Sequence, residues 1–213
     1  MPSPAASASV DQSRYQVRLE WGAAGLARLA AADVVVVVDA LTFSSDVSAR
    51  VAAGETVALA DAGPDAVDAA DVVRRAAASG AVVLVGGLRN ATAVAAEVVA
   101  EQGRRAARTS IAVVAVGETL DEGALRVATE DLLAAGAVID ALSALGIDHT
   151  SPEAATACEA FRGLCGAVKH LLTATGSGQR LLEAGRRDDA LAAAQVDADA
   201  VAPVLRDGVF TAA

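Results

Sequence analysis

Asp39, Glu118 and the adjacent pair Arg89-Asn90 each stand just after one of three strongly apolar segments of the sequence. Carboxylate oxygens are the ligands that Mg²⁺ prefers, and arginine pairs with phosphate or sulfonate through two parallel hydrogen bonds. If the three segments are neighbouring parallel strands, these side chains meet in a crevice beyond the carboxyl ends of the strands. The pattern then predicts a site for a divalent cation beside an anion. The alternative is a set of helix caps with a surface ion pair.

Two hydroxyl side chains, Ser44 and Ser45, lie in the segment Thr42–Asp46, at the start of the helix predicted after Asp39. Hydroxyls and unpaired backbone N–H groups at a helix N-terminus bind anions, so both serines are candidate substrate-binding residues. Ordinary capping is the alternative, and Asp46 favours it because a carboxylate in the first turn repels a phosphate.

The adjacent carboxylates Glu130 and Asp131 fall in the helix predicted after Glu118. Neighbouring residues of a helix point about 100° apart, so only one of the two is expected to face a site at a time. From spacing alone, a solvated pair is the ordinary explanation for these two residues.

The elements that would position these residues follow from an alternation of apolar segments and helical patterns. The five valines Val34–Val38 are typical of a strand buried on both faces, as in the centre of a parallel sheet. The alternation predicts an α/β fold, with a mostly parallel sheet flanked by helices, a helical C-terminal part and a possible short edge strand. The predicted strands are Gln16–Glu20, Val34–Val38, Thr56–Leu59, Ala81–Val85, Ile111–Val116 and, at the edge, Pro203–Phe210. The predicted helices are Gly22–Ala32, Ser44–Ala53, Asp65–Ala78, Asn90–Gln102, Leu125–Ala134 with a further helix from Gly136 to Leu145, Glu153–Thr173, Gly178–Ala184 and Asp188–Gln195.

Composition narrows the classes of partner. The net charge of −10 argues against nucleic acid and against an anionic membrane, both of which require clustered basic residues. The apolar runs are too short to span a bilayer, and the first residues lack the pattern of a signal peptide, so we expect a cytoplasmic protein. Helices rich in alanine pack closely, which suggests a homo-oligomer.

Domain organisation is simple. Residues 1–14 are rich in Ser, Ala and Pro and are predicted to be a disordered tail. Residues 15–213 have the length of one α/β domain, and 54% of the chain is hydrophobic, which is enough for a sizeable core.

Several segments together resemble the 2-phosphosulfolactate phosphatase family, in its actinobacterial branch. Each motif is weakly specific, but their order and spacing agree over most of residues 15–210. The segments are Tyr15–Gly22, Val34–Val47, Val85–Ala95, Gly117–Ala137, Ser177–Gly185, Asp188-Asp189 and Val201–Phe210.

This resemblance implies a Mg²⁺-dependent phosphatase that hydrolyses 2-phosphosulfolactate or a similar small phosphorylated acid. Under it, Asp39 and Glu118 become candidate catalytic residues and metal ligands, with Glu130 or Asp131 in support. A metal ion of this kind neutralises phosphate charge and orients the attacking water, which a carboxylate positions or deprotonates.

The resemblance also makes Arg89 and Asn90 candidates for holding the acidic groups of the substrate. The chain departs from the family pattern at 60–80, where it is shorter by about thirty residues, and it has Thr119 where an arginine is usual. The alternative is therefore a catalytically weakened or inactive homologue that binds a small anion or assembles with itself.

Overall fold

The computed structural model describes residues 10–61, 63 and 66–213. A seven-stranded sheet runs through them, with helices on both faces. Its strands are β1 (Val17–Trp21), β2 (Val34–Val38), β3 (Val57–Ala58), β4 (Val82–Val85), β5 (Ile111–Ala115), β8 (Pro203–Arg206) and β9 (Val209–Ala212), while β6 (Glu118–Thr119) and β7 (Leu125–Arg126) form a separate small hairpin. The helices are α1 (Gly22–Arg28), α2 (Phe43–Ala52), α3 (Val67–Ala78), α4 (Ala91–Arg105), α5 (Thr129–Ala144), α6 (Pro152–Leu164), α7 (Val168–Ala174), α8 (Gly176–Glu183) and α9 (Arg187–Ala193).

The strand order is β1-β5-β2-β4-β8-β9-β3, and the first four strands in this order are parallel. The run of valines in β2 lies near the middle of the sheet, as predicted. Its alternate side chains enter two different cores: Val34, Val36 and Val38 pack on one face, and Val35 and Val37 on the other. Burial on both faces explains why this strand has no polar residue.

The predicted fold class is confirmed: the protein is α/β, with a mostly parallel sheet. The C-terminal segment differs in detail from the expected edge strand. It forms a hairpin, in which β8 pairs antiparallel with β4 and β9 pairs antiparallel with β3. Asp207 and Gly208 both have positive φ and make its turn. The hairpin lies inside the sheet because β3 pairs with β9 and takes the edge position.

Two predicted helices around Gly136 are a single helix, α5. A Cβ atom at position 136 would lie 2.1 Å from the carbonyl oxygen of Ala157 in α6. The glycine is therefore a close-packing site between α5 and α6, and the prediction that it breaks the helix is wrong.

The same helix also begins later than predicted. Leu125 and Arg126 form β7 instead of a first helical turn, because the chain folds back on β6 with Glu118 opposite Arg126. Gly123, at φ 77°, is in the turn of this hairpin.

The N-terminal prediction is only partly covered by the described residues. Residues 1–9 of the predicted tail, and Asp65 at the predicted start of α3, lie outside them. From residue 10 onwards the chain is described, and Gln12 is buried, donating through Nε2 to the carbonyl oxygen of Leu19 at 2.9 Å. Residues 10–14 of the predicted tail therefore include a docked side chain.

Within the described ranges, none of the helices combines the length and the apolar character that crossing a bilayer requires.

Candidate active site

Asp39 is the first residue after β2, and a serine fixes the backbone around it. The Asp39 N–H donates to Ser44 Oγ at 2.9 Å, and the Ser44 N–H donates to the Asp39 carbonyl oxygen at 2.8 Å. Ser44 is only 2% exposed. Its hydroxyl thus shapes the turn that carries Asp39 from the sheet into α2.

Asp131 joins the two loops that leave β2 and β5. Its Oδ1 accepts a hydrogen bond from Ala40 N–H at 2.7 Å, and its Oδ2 accepts one from Gly117 N–H at 2.9 Å. Asp39 and Glu118 are the chain neighbours of these two donors. Because β2 and β5 are adjacent in the sheet, one buried carboxylate can hold both loops.

The pKa of Asp131 is raised well above its ordinary value. Burial is the main cause, and the negative charge of Asp39 adds to it. The N–H groups of Ala40 and Gly117 act in the opposite direction, and the charge of Glu130 raises the pKa further. Three carboxyl groups therefore lie close enough to repel one another.

Glu130 has a buried carboxylate oxygen without a partner. The residue is 2% exposed, and among the described residues no group forms a hydrogen bond with its Oε2. Buried polar atoms are nearly always paired in proteins, and a buried charge requires an opposite charge. The Oε2 atom of Glu130 is thus a candidate ligand for a cation.

Glu118 differs from Glu130 because two arginines hold it. Arg126 donates through Nε to Glu118 Oε2 at 2.6 Å, and Arg180 Nη2 lies 2.9 Å from Oε1. Partial burial opposes ionisation of Glu118, but the hydrogen bonds from the two arginines outweigh it and the pKa is lowered. Glu118 is therefore an ionised carboxylate with both oxygens engaged.

All four of these carboxylates line one cavity of about 400 Å³. Asp39, Glu118, Glu130 and Asp131 share it with Asp68, which accepts a hydrogen bond from Thr119 N–H at 2.9 Å. Two arginines, Arg180 and Arg186, line the same cavity and bring positive charge to it. We refer to Asp39, Glu130 and Asp131 as the acidic side of the cavity and to the two arginines as its basic side.

A second cavity of about 600 Å³ adjoins the first, and Thr42 and Arg186 line both. Ser45 and Arg89 line this second space. The Ser45 hydroxyl donates to the carbonyl oxygens of Thr42 at 2.9 Å and Ala40 at 3.1 Å, so it is turned back onto its own loop.

The guanidinium group of Arg89 is held by partners within the protein itself, chiefly by the carboxylate of Asp199. It pairs in two-pronged fashion with Asp199, through Nε to Oδ2 at 2.8 Å and Nη2 to Oδ1 at 2.7 Å, and its Nη1 donates to Ala192 O at 2.6 Å. Asp199 also accepts from Ser48 Oγ at 2.8 Å. This buried pair ties the segment after α9 to the end of β4.

Asn90 does not reach the cavity that holds Asp39 and Glu118. Its Oδ1 accepts from Gly87 N–H at 3.0 Å, and its Nδ2 donates to the carbonyl oxygens of Val85 and Val201 at 3.1 and 3.3 Å. The expectation that an amide from this strand end joins the two carboxylates is not met. The reason is that Asn90 satisfies backbone groups that β4 leaves open at its end.

Sequence reasoning missed the basic side of the cavity. Arg180 belongs to α8 and Arg186 stands just before α9, and neither follows a strand of the sheet. The similarity of Ser177–Gly185 to a family segment includes Arg180 but says nothing of its contacts, and Arg186 lies just outside that segment. The side chains that the structure brings together from the predicted set are Asp39, Glu118, Glu130 and Asp131.

A fully formed metal centre is not present in the described part of the chain, where no three His, Cys, Asp or Glu side chains converge on one point. The donor set nevertheless fits Mg²⁺. This ion usually keeps several waters and uses one or two carboxylates together with substrate phosphate oxygens. The unpartnered Oε2 of Glu130, beside the charges of Asp39 and Asp131, is the kind of group that such a cation satisfies.

Comparison with protein families gives a match to most of the chain: a family model described as "2-phosphosulpholactate phosphatase" matches residues 66–208. The match includes Glu118, Glu130, Asp131 and both arginines of the cavity wall, and it begins after Asp39. A search of curated proteins finds no match.

Proposed function

Because the chain belongs to the 2-phosphosulfolactate phosphatase family, we propose that it hydrolyses 2-phosphosulfolactate or a similar small phosphorylated acid in a Mg²⁺-dependent reaction at the cavity lined by Asp39, Glu130 and Asp131. The observation that supports this most is the unpartnered oxygen of Glu130, beside the buried Asp131 and the half-buried Asp39. A group of carboxylates such as Asp39, Glu130 and Asp131 repels a phosphoester on its own and accepts one together with a cation.

Each carboxylate has a distinct part in this proposal. Asp39 and Glu130 hold the cation, and Asp39 also orients the attacking water and accepts its proton. Asp131 holds the loops after β2 and β5 through Ala40 and Gly117. When bound, Mg²⁺ supplies neutralisation of the phosphoryl charge and activation of water. Direct ligation by Glu118 or Asp131, which the sequence predicted, stays a prediction and requires a cation to replace one of the contacts that their oxygens already make.

Substrate binding by Ser44, Ser45, Arg89 and Asn90 stays a prediction. The hydrogen bonds of Ser44 and Asn90 support a role in shaping the site's backbone. Ser45 and Arg89 line the adjoining cavity, where a larger substrate would reach them.

The test is release of inorganic phosphate from 2-phosphosulfolactate, 2-phospholactate and 2-phosphoglycolate, with Mg²⁺ or with EDTA. We expect turnover only with Mg²⁺, and a loss in kcat/KM of at least about a hundredfold for Asp39→Asn. Asp148→Asn, at an exposed loop position, is the matched control and should behave as wild type. Absence of Mg²⁺-dependent turnover on every ester would contradict the proposal and favour the second candidate, an inactive homologue that binds a small anion.

A further inference from the structure

The pairing of Glu118 with two arginines changes what this carboxylate contributes to the cavity. Glu118 carries one negative charge, and Arg126 and Arg180 carry two positive charges, so the three side chains together are positive. Ser177 Oγ completes the cluster, accepting from Arg126 Nη2 at 3.3 Å and from Arg180 Nη2 at 3.2 Å. We refer to Glu118, Arg126, Arg180 and Ser177 as the arginine cluster.

In this cluster, Arg180 has N–H groups that are open to a ligand. Both of its contacts, with Glu118 and Ser177, are made by Nη2. A guanidinium has five N–H donors, and within the described residues no partner takes those on Nη1 and Nε. Its side chain is 56% exposed and lines the cavity, so these donors are open to a ligand.

The position of the cluster suggests which part of a ligand it meets. The acidic side of the cavity, around Glu130, requires a cation before it can accept a phosphoryl group. The arginine cluster attracts an anion without any cation. A substrate with two acidic ends therefore fits with its phosphoryl group at the acidic side and its other acid group at Arg180.

We propose that Arg180, held in place by Glu118 and Ser177, binds the non-transferred sulfonate or carboxylate of the substrate and so selects phosphoesters with a second acid group. Glu118 then acts as a positioning residue for the arginines. The proposal rests on the proposed function for the identity of the substrate. The planar guanidinium suits a two-pronged contact with sulfonate or carboxylate, which lysine cannot reproduce.

The first experiment measures binding without turnover. Isothermal titration calorimetry follows binding of 3-sulfolactate, the dephosphorylated product, to wild type, Arg180→Gln and Arg180→Lys. We expect Arg180→Gln to weaken binding by at least about tenfold, with Arg180→Lys in between. The matched control is Arg162→Gln, because Arg162 is an arginine of α6 with similar exposure and two acidic partners. Equal affinities of Arg180→Gln and Arg162→Gln, or no binding to wild type, would overturn the proposal.

The second experiment compares two esters with the same enzymes. For Arg180→Gln, kcat/KM should fall at least about tenfold more for 2-phosphosulfolactate than for propan-2-yl phosphate, which lacks a second acid group, and the loss should lie mainly in KM. An equal loss for both esters would place Arg180 at the phosphoryl group and overturn the proposal. If wild type hydrolyses neither ester, the proposed function fails, and the calorimetric comparison still decides the role of Arg180.

Discussion

Glu130 and Glu118 illustrate how the surroundings give the same side chain different roles. Both line one cavity, but Glu118 has an arginine at each oxygen and Glu130 has a buried oxygen with no hydrogen bond from any described residue. A paired carboxylate is an electrostatic anchor, whereas an unpaired buried one is a candidate ligand. The sequence predicted both as metal ligands, since carboxylates at strand ends and helix starts look alike before their partners are known.

The first prediction concerns Glu130→Gln, which keeps the size of the side chain and removes its charge. In EDTA, the variant should unfold in urea with a free energy about 1–3 kcal/mol higher than wild type, because a buried unpartnered charge is relieved. Mg²⁺ should raise the Tm of wild type but not of the variant.

The control is Glu159→Gln, since the Glu159 side chain is 69% exposed. It should change neither quantity. A Glu130→Gln protein that is less stable in EDTA, or that keeps the full Mg²⁺-dependent rise in Tm, would contradict a cation site at this residue.

The second prediction concerns the raised pKa of Asp131, caused first by burial and then by the charge of Asp39. Between the ordinary value of 3.8 and the raised value, the folded protein binds more protons than the unfolded chain. The contribution of Asp131 to the free energy of unfolding is therefore greatest at pH values below this range. It falls as the pH rises from 3.8 to the raised pKa. The slope reaches up to about 1.4 kcal/mol per pH unit.

Urea unfolding of wild type and Asp131→Asn over a series of pH values, in EDTA, isolates this contribution. The difference between the two free energies should change with pH in the direction just given, whatever the other carboxylates contribute to both proteins. A difference that is constant with pH, or that favours wild type increasingly as pH rises, would show that Asp131 titrates at its ordinary value or below.

At the scale of elements, the close packing of α5 against α6 depends on Gly136 of α5. The backbone of α6 lies so close to Gly136 that a Cβ atom there would overlap Ala157 and the Phe161 side chain. Since Glu130 and Asp131 are in the first turn of α5, the packing of α5 on α6 also fixes where those carboxylates stand.

The third prediction follows from this contact. Gly136→Ala should lower the free energy of unfolding by about 3 kcal/mol, because the two helices must separate. Gly163→Ala is the matched control: it is a helical glycine of α6 with open space where the added methyl group would lie, so the change should be neutral or stabilise by about 0.5–1 kcal/mol. Urea unfolding of both variants is the measurement, and equal effects at the two positions would refute the close-packing role.

At the scale of the whole molecule, strand order creates the cavity. β2 and β5 are far apart in the chain but adjacent in the sheet, so the residues that follow them meet. The helices after α7 then bring Arg180 and Arg186 over the same edge. A homo-oligomer, a cytoplasmic location and the absence of nucleic-acid or membrane partners stay predictions, and light scattering on the purified protein tests the first of them.

The sequence by itself determined the α/β class, most of its strands and helices, and the strand ends where acidic residues collect. Those features depend on local patterns, such as the valines of β2, whose burial on both faces is encoded within five residues. Tertiary structure alone decided which charged side chains pair over long distances in the chain. Arg89 is bound by Asp199, 110 residues away, and Glu118 by Arg180 of a distant helix. Such pairings depend on which distant segments of the chain come into contact in the folded protein. No local pattern in a single sequence predicts those contacts.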